Sequence, residues 1–131
     1  MLRNMEMEFE EILQVIEDND SQFLFLGIGN TSDEFYEYSH TTINIIGFLD
    51  NDVKKQGTVF HNINIKGIDS SILGKKIIIT SNAYYKELKK QLIGLGLHFN
   101  KDFFYYRDMV PFISYKKNKE VWLDQVDITI T

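Results

Sequence analysis

The strongest chemical signal in the chain is Gly27-Ile28-Gly29-Asn30-Thr31-Ser32, which reads G-x-G-x-x-S. It stands one residue away from the dinucleotide fingerprint, whose glycines permit a tight strand-to-helix turn and let backbone N–H groups approach a phosphate at the helix N-terminus. Ser32 replaces the third glycine, the one that lets helix and strand pack closely, and is a departure from a standard pyrophosphate site. Asp50 follows Gly27 by roughly twenty residues, the offset at which an acidic side chain binds ribose hydroxyls. The plainer alternative is that the glycines satisfy turn geometry alone and Asp50 caps the next turn. Ligands of open parallel sheets bind beyond the carboxyl ends of the strands, which brings Thr80, Ser81 and Asn82 beside the glycine turn. These three could hydrogen-bond a sugar or an amide; Ser81 or Asn82 could equally cap the following helix.

Other chemistry is scarce. His40, His61 and His98 form no H-x-x-H or H-E-x-x-H pair, so no local spacing supplies a metal site. No serine sits in G-x-S-x-G, no lysine follows a Walker loop, and no pair of carboxylates is spaced as general acid and base. No catalytic activity is expected of the chain by itself. The rings of Phe35, Tyr36, Tyr38, Tyr84, Tyr85, Phe103, Phe104, Tyr105 and Tyr106 read as core and interface rather than as base-stacking platforms.

The elements that must position these residues follow from hydrophobic period. Met5, Phe9, Ile12, Leu13 and Ile16 recur on one helical face within residues 1–20. QFLFL (22–26) is a short apolar run stopped by glycine and predicts a buried strand. Asn30, Thr31 and Ser32 offer N-cap chemistry ahead of the helical DEFYEYS. INIIGFL (43–49) is a second strand, ending at Asp50-Asn51-Asp52. Residues 59–68 alternate as one half-exposed edge strand would, and KIIIT (76–80) predicts a central strand. YYKELKKQLIGL (84–95) is an amphipathic helix, and DFFYY (102–106) a last strand. This order predicts an α/β, Rossmann-like three-layer sandwich with a mostly parallel, five-stranded sheet over residues 1–108. Residues 109–131 depart from the rhythm: they hold the only proline, Pro111, a basic stretch Lys116–Lys119 read as a solvated linker, and VDITIT (126–131), read as a terminal strand.

Length 131, 44% hydrophobic and 25% charged residues fit one globular domain. With 14 basic and 19 acidic residues the net charge is −5, which argues against nucleic acid as a partner. Seven of the acids and one base lie in residues 1–20, leaving residues 21–131 with 12 acids and 13 bases, a net +1. The absence of cysteine removes disulfides, thiolate metal sites and a Cys nucleophile. No run suggests a membrane span, the N-terminus is acidic where a signal peptide would be basic, and a cytoplasmic location is expected.

The succession GIGN, INIIGFLDND, VKKQG, NINIKGID, KIIITS and KKQLIGLGL resembles the small Rossmann-like nucleotide-binding domains that precede bacterial sugar-modifying enzymes. Those enzymes include sugar acetyltransferases of the left-handed β-helix type, nucleotide-sugar dehydratases and methyltransferases. The resemblance covers about residues 22–106. It implies that Gly27, Gly29, Asp50, Asn51 and Asp52 face a ligand, often a nucleotide or nucleotide-sugar; NAD and coenzyme A are further candidates, and the histidine spacing leaves no metal expected. The tail VWLDQVDITIT is similar to the first barrel strand of radical S-adenosylmethionine enzymes, which implies that residues 109–131 lead into a missing domain.

The site expected is thus Gly27, Gly29, Asn30, Thr31, Ser32, Asp50, Asn51, Asp52, Thr80, Ser81 and Asn82. The function expected is recognition of a nucleotide-type ligand or substrate, as the N-terminal accessory domain of a larger bacterial enzyme. The alternative is a protein-interaction or oligomerisation module with a vestigial site. The partners expected are a small nucleotide-type ligand with a second copy or an attached C-terminal catalytic domain, and neither nucleic acid nor membrane.

Overall fold

The computed structural model describes the backbone of residues 2–130 and the side chains of residues 9–121. Helix α1 (Leu2–Glu17) leads into strand β1 (Gln22–Leu26), helix α2 (Asn30–Ser39) and strand β2 (Asn44–Leu49). Strands β3 (Val59–Phe60) and β4 (Ile63–Lys66), a 3-10 turn (Ser70–Ile72), strand β5 (Lys76–Ile79), helix α3 (Tyr85–Gly94), strand β6 (Phe103–Tyr105) and helix α4 (Tyr106–Ile130) follow. The strands lie in the order β3-β4-β2-β1-β5-β6, all parallel except the β3–β4 pair.

Alternation along β1 divides the core. Phe23 and Phe25 face the layer of α1, α2 and α4, packing with Ile12, Ile16, Phe35, Met109, Phe112 and Ile113. Leu24 and Leu26 face α3, with Leu88 and Leu92. A strand buried on both faces reads as an unbroken apolar run, which is why QFLFL and KIII carry no polar alternation. The result is a Rossmann-like three-layer sandwich. From β1 the chain crosses to β2 on one side, and later enters β5 on the other. The carboxyl ends of β1 and β5 therefore flank the point where the order of the sheet reverses, the crevice where α/β folds take ligands.

Four expectations change. The sheet has six strands rather than five, because residues 59–68 form a hairpin and not one strand: His61 (φ 46°) and Asn62 (φ 67°) both take the left-handed conformation of a two-residue turn. The expected terminal strand is helix, since α4 continues through Ile130; Thr131 lies outside the described residues. The alternation of VDITIT is a weak preference that a helix already propagating from Tyr106 overrides. The expected boundary at 108 falls inside α4, whose Met109 and Ile113 are fully buried in the main core. Finally, Lys116–Lys119 is no solvated linker. The buried Lys116 Nζ donates to the Ile16 carbonyl (3.0 Å) and to Asn19 Oδ1 (2.9 Å), capping the C-terminal end of α1, while Lys117 lies 4.6 Å over the Tyr38 ring and Lys119 Nζ is 3.6 Å from Glu17 Oε1. On the opposing face of α1, Ile12 and Ile16 are buried as expected and Phe9, although 56% exposed, packs 4.8 Å from the Phe112 ring; the side chain of Met5 lies outside those described.

Candidate functional site

A cleft of about 650 Å³ opens at the reversal point, within the range of small-molecule sites. Gly27, Gly29, Asn30, Thr31, Asp50, Asn51, Asp52, Thr80, Ser81 and Asn82 all line it. Ten of the eleven residues expected from sequence are thus brought together from the ends of β1, β2 and β5. The eleventh, Ser32, is fully buried behind the turn.

The fold constrains the two glycines of the turn differently. Gly27 takes φ +88°, and a Cβ there would stand 2.8 Å from Ser81 Cβ and 3.0 Å from Leu88 Cδ1. Backbone from β1 and the segment after β5 could not come this close around any side chain. Gly29 is extended (φ −171°), and a Cβ would meet nothing within 4 Å, so the fold itself does not require glycine there.

Hydrogen bonding within the turn differs from the expected phosphate cradle. Gly27 N–H donates to the Leu49 carbonyl (2.9 Å), Ile28 N–H to Asp50 Oδ2 (2.8 Å) and Gly29 N–H to Ser32 Oγ (3.1 Å). All three are therefore engaged by the protein. The N-cap of α2 is Gly29 itself, not Asn30, Thr31 or Ser32, which form the first helical turn. Ser32 does not contact the cleft. Its hydroxyl lies 2.9 Å from the Gly27 carbonyl and 2.8 Å from Thr80 Oγ1, which is itself 3.0 Å from the Gly27 carbonyl, so two hydroxyls and one carbonyl tie β1, α2 and β5 together. A third glycine would leave the Gly29 N–H without this acceptor.

Asp50 is similarly turned inward. It is 8% exposed, its Oδ2 takes the Ile28 N–H, its Oδ1 takes the Asp52 N–H (2.8 Å), and Lys55 Nζ lies 3.7 Å from Oδ2. Lys55, which sequence reasoning did not single out, also donates to the Ile28 carbonyl (2.6 Å) and lines the cleft. The turn after β2 is thereby buttoned to the turn after β1. Asn51 pairs with Gln91 of α3 (2.7 Å). Ser81 Oγ accepts the Tyr84 N–H (3.2 Å) in the turn that precedes α3, whose N-cap is Tyr84 rather than Ser81 or Asn82.

Asn82 has both lone pairs of Oδ1 filled, by the hydroxyls of Tyr105 and Tyr106, and Arg107 Nε in turn donates to Tyr106 Oη (3.2 Å). Burial pushes the Tyr105 phenol up, a shift that the charge of Arg107 opposes. Beyond Asn82 and Thr31 a second hollow of about 470 Å³ is walled by Glu34, Phe35, Tyr38, Tyr106, Arg107 and Val110. No sequence pattern pointed to Lys55, Tyr106 or Arg107; their neighbours in space are distant in the chain.

The third group brought together by folding is Asp33, Glu37 and His61. Their ligand-capable atoms lie within 4.8 Å of one another, a set that no local spacing could reveal. His61 Nε2 is 2.7 Å from Asp33 Oδ1, Nδ1 is 4.0 Å from Glu37 Oε1, and the ring stacks on Tyr36 (3.8 Å), fastening the β3–β4 turn to α2.

Comparison with solved structures finds, among others, three of RSP, a Rex-family repressor. The first covers 95% of this chain and 71% of that chain at 12% identity and TM-score 0.49. RSP in complex with beta-NAD+ and operator DNA covers 93% and 68% at 14% identity and TM-score 0.45, and RSP with beta-NADH 92% and 71% at 13% and 0.46. No curated protein matches the sequence. The expectation that nucleic acid is not a partner does not stand, since one of these structures holds operator DNA. The charge argument behind it was also too coarse, because the negative charge is concentrated in residues 1–20 and the remainder is net +1. Among the described residues no helix is long and apolar enough to cross a membrane. The model of the family described as C2185-like, N-terminal matches residues 19–102, from just before β1 to the start of β6, and the chain belongs to that family.

Proposed function

We propose that the chain is a recognition module for a nucleotide-type ligand, acting in the cytoplasm as the N-terminal part of a larger enzyme. The observation that carries the reading is the cleft at the reversal of strand order, lined by Gly27, Gly29, Asn30 and Thr31 on one side and Thr80, Ser81 and Asn82 on the other. The N-terminus of α2 opens into it with the positive end of a helix dipole, and Asp52, Asn51 and the second lone pairs of Asp50 provide acceptors for sugar hydroxyls. The family's description as an N-terminal region supports attachment to a further domain.

The test is a thermal-shift series with NAD+, coenzyme A, S-adenosylmethionine and UDP-glucose. A ligand at one hundred times its dissociation constant adds about 2.7 kcal/mol, which for a chain of this size raises the midpoint by roughly 10 °C. No shift with any of the four would sink the reading. The second reading, an interaction module with a vestigial site, is favoured by the internal hydrogen bonds of the glycine turn, and gains if the four ligands fail while the protein self-associates.

A further inference from the structure

We propose that the anionic part of the ligand is held away from the glycine turn, by a clamp of Asn82 and Arg107 at the junction of the two hollows. This rests on the nucleotide reading above and assigns the residues that would hold the phosphate or diphosphate. Three observations converge on it. The N–H groups of Gly27, Ile28 and Gly29 already have acceptors within the protein, so the glycine segment itself has no donor to offer an anion, and the free backbone donors left beside it are those of Asn30 and Thr31 at the start of α2. The cleft around Asp50 is the wrong place electrostatically: Asp50, Asp52 and Glu87 face one lysine, and Lys55 is committed to the Ile28 carbonyl and Asp50. A phosphate there would meet more carboxylates than cations, whereas an uncharged sugar would meet acceptors for its hydroxyls.

At the junction the balance reverses. Thr31 and Asn82 line both hollows, so the two are continuous around the first turn of α2. Asn82 Oδ1 is saturated by two tyrosine hydroxyls, which fixes the amide orientation and leaves its NH2 as a pair of donors. The Tyr106 hydroxyl spends its proton on Asn82 and takes the Arg107 Nε–H, which leaves the four terminal N–H groups of the guanidinium without a hydrogen-bond partner among the described residues. The result is a chain Tyr105–Asn82–Tyr106–Arg107 that presents a positioned amide and a guanidinium beside the positive end of α2, with Glu34 the one carboxylate lining that hollow. A guanidinium matches two phosphate oxygens at once, which a lysine cannot do.

The probe is inorganic pyrophosphate, which carries the anion without a nucleoside. Titration of the full chain by calorimetry at low salt is expected to show binding that weakens at least about tenfold in Arg107→Ala and several-fold in Asn82→Ala, and that is unchanged in Lys90→Ala, an exposed lysine of α3 outside both hollows. Tyr106→Phe releases Asn82 and Arg107 together and is expected to weaken binding about threefold with little change in midpoint temperature. Equal binding by the wild type and Arg107→Ala would overturn the proposal, as would absence of pyrophosphate binding by the wild type. The two readings separate cleanly: pyrophosphate bound through Arg107 with no nucleotide bound defeats the nucleotide module and keeps the clamp, whereas nucleotide bound with no dependence on Arg107 or Asn82 does the reverse.

Discussion

Replacing Asp50 with alanine separates two roles for the same carboxylate. If it served only as a ribose acceptor, its removal would leave the ligand-free protein as stable as before, or more so, because a charge buried to 8% exposure costs desolvation. The structure instead gives it two backbone partners. The Ile28 N–H is buried and bonded to a charged acceptor at 2.8 Å, an interaction worth about 1.5–3 kcal/mol, and its loss strands a donor in the interior. The Asp52 N–H is only partly buried and can turn to water, contributing about 0.5–1 kcal/mol. Lys55 is nearly half exposed, so the ion pair at 3.7 Å contributes under about 1 kcal/mol. Allowing for the recovered desolvation, Asp50→Ala should cost about 2–4 kcal/mol, and Asp50→Asn about half of that because one oxygen survives as an acceptor. At about 4 °C per kcal/mol for a chain of this length the alanine variant should melt roughly 8–16 °C below the wild type. Differential scanning calorimetry without ligand decides the matter. A midpoint within 2 °C of wild type, by the same roughly 4 °C per kcal/mol, would refute the role assigned to Asp50 in holding the glycine turn.

The two glycines should respond oppositely: Gly27→Ala is expected to lose about 2 kcal/mol or more from the left-handed backbone and the 2.8 Å approach to Ser81 Cβ, while Gly29→Ala, with open space around it, should stay within about 0.5 kcal/mol in chemical denaturation and weaken ligand binding instead. Lys116→Met keeps the apolar stem but uncaps the Ile16 carbonyl, and should cost about 1.5–3 kcal/mol, with faster amide exchange concentrated in α1. Asp102 supplies a pH test: burial raises its pKa, but the backbone N–H and ring of His98 and the charge of Lys76 outweigh this and hold the carboxyl below its ordinary value. Its contribution is therefore full above about pH 4 and is lost as pH falls through the depressed value, so the midpoint difference between wild type and Asp102→Asn should be constant from pH 5 to 8 and shrink below about pH 4.

What the sequence determined by itself is the order of most elements and which strand ends meet at one cleft. Strands buried on both faces appear as short apolar runs, helices as 3.6-residue periods, and turns as glycines, and each of these is a local property legible within a window of a dozen residues. Hence β1, α2, β2, β5, α3 and β6 stand where the pattern predicts, and ten of eleven expected residues meet in one cleft. Where local preferences were weak or split, the tertiary structure decided: the β-branched alternation of VDITIT yields to a helix, and residues 59–68 fold back at His61-Asn62. Hydrogen-bond partners were beyond sequence reasoning altogether. A serine or aspartate offers the same lone pairs to a ligand, a cap or a distant N–H, and the choice depends on which group the fold brings within 3 Å. Ser32 meets Thr80 across 48 residues, Asp50 meets Ile28 across 22 and Lys116 meets Ile16 across 100, so residues whose types suggested a binding turn or a linker became fastenings, the first two between the strand ends at the cleft and the third between α4 and α1.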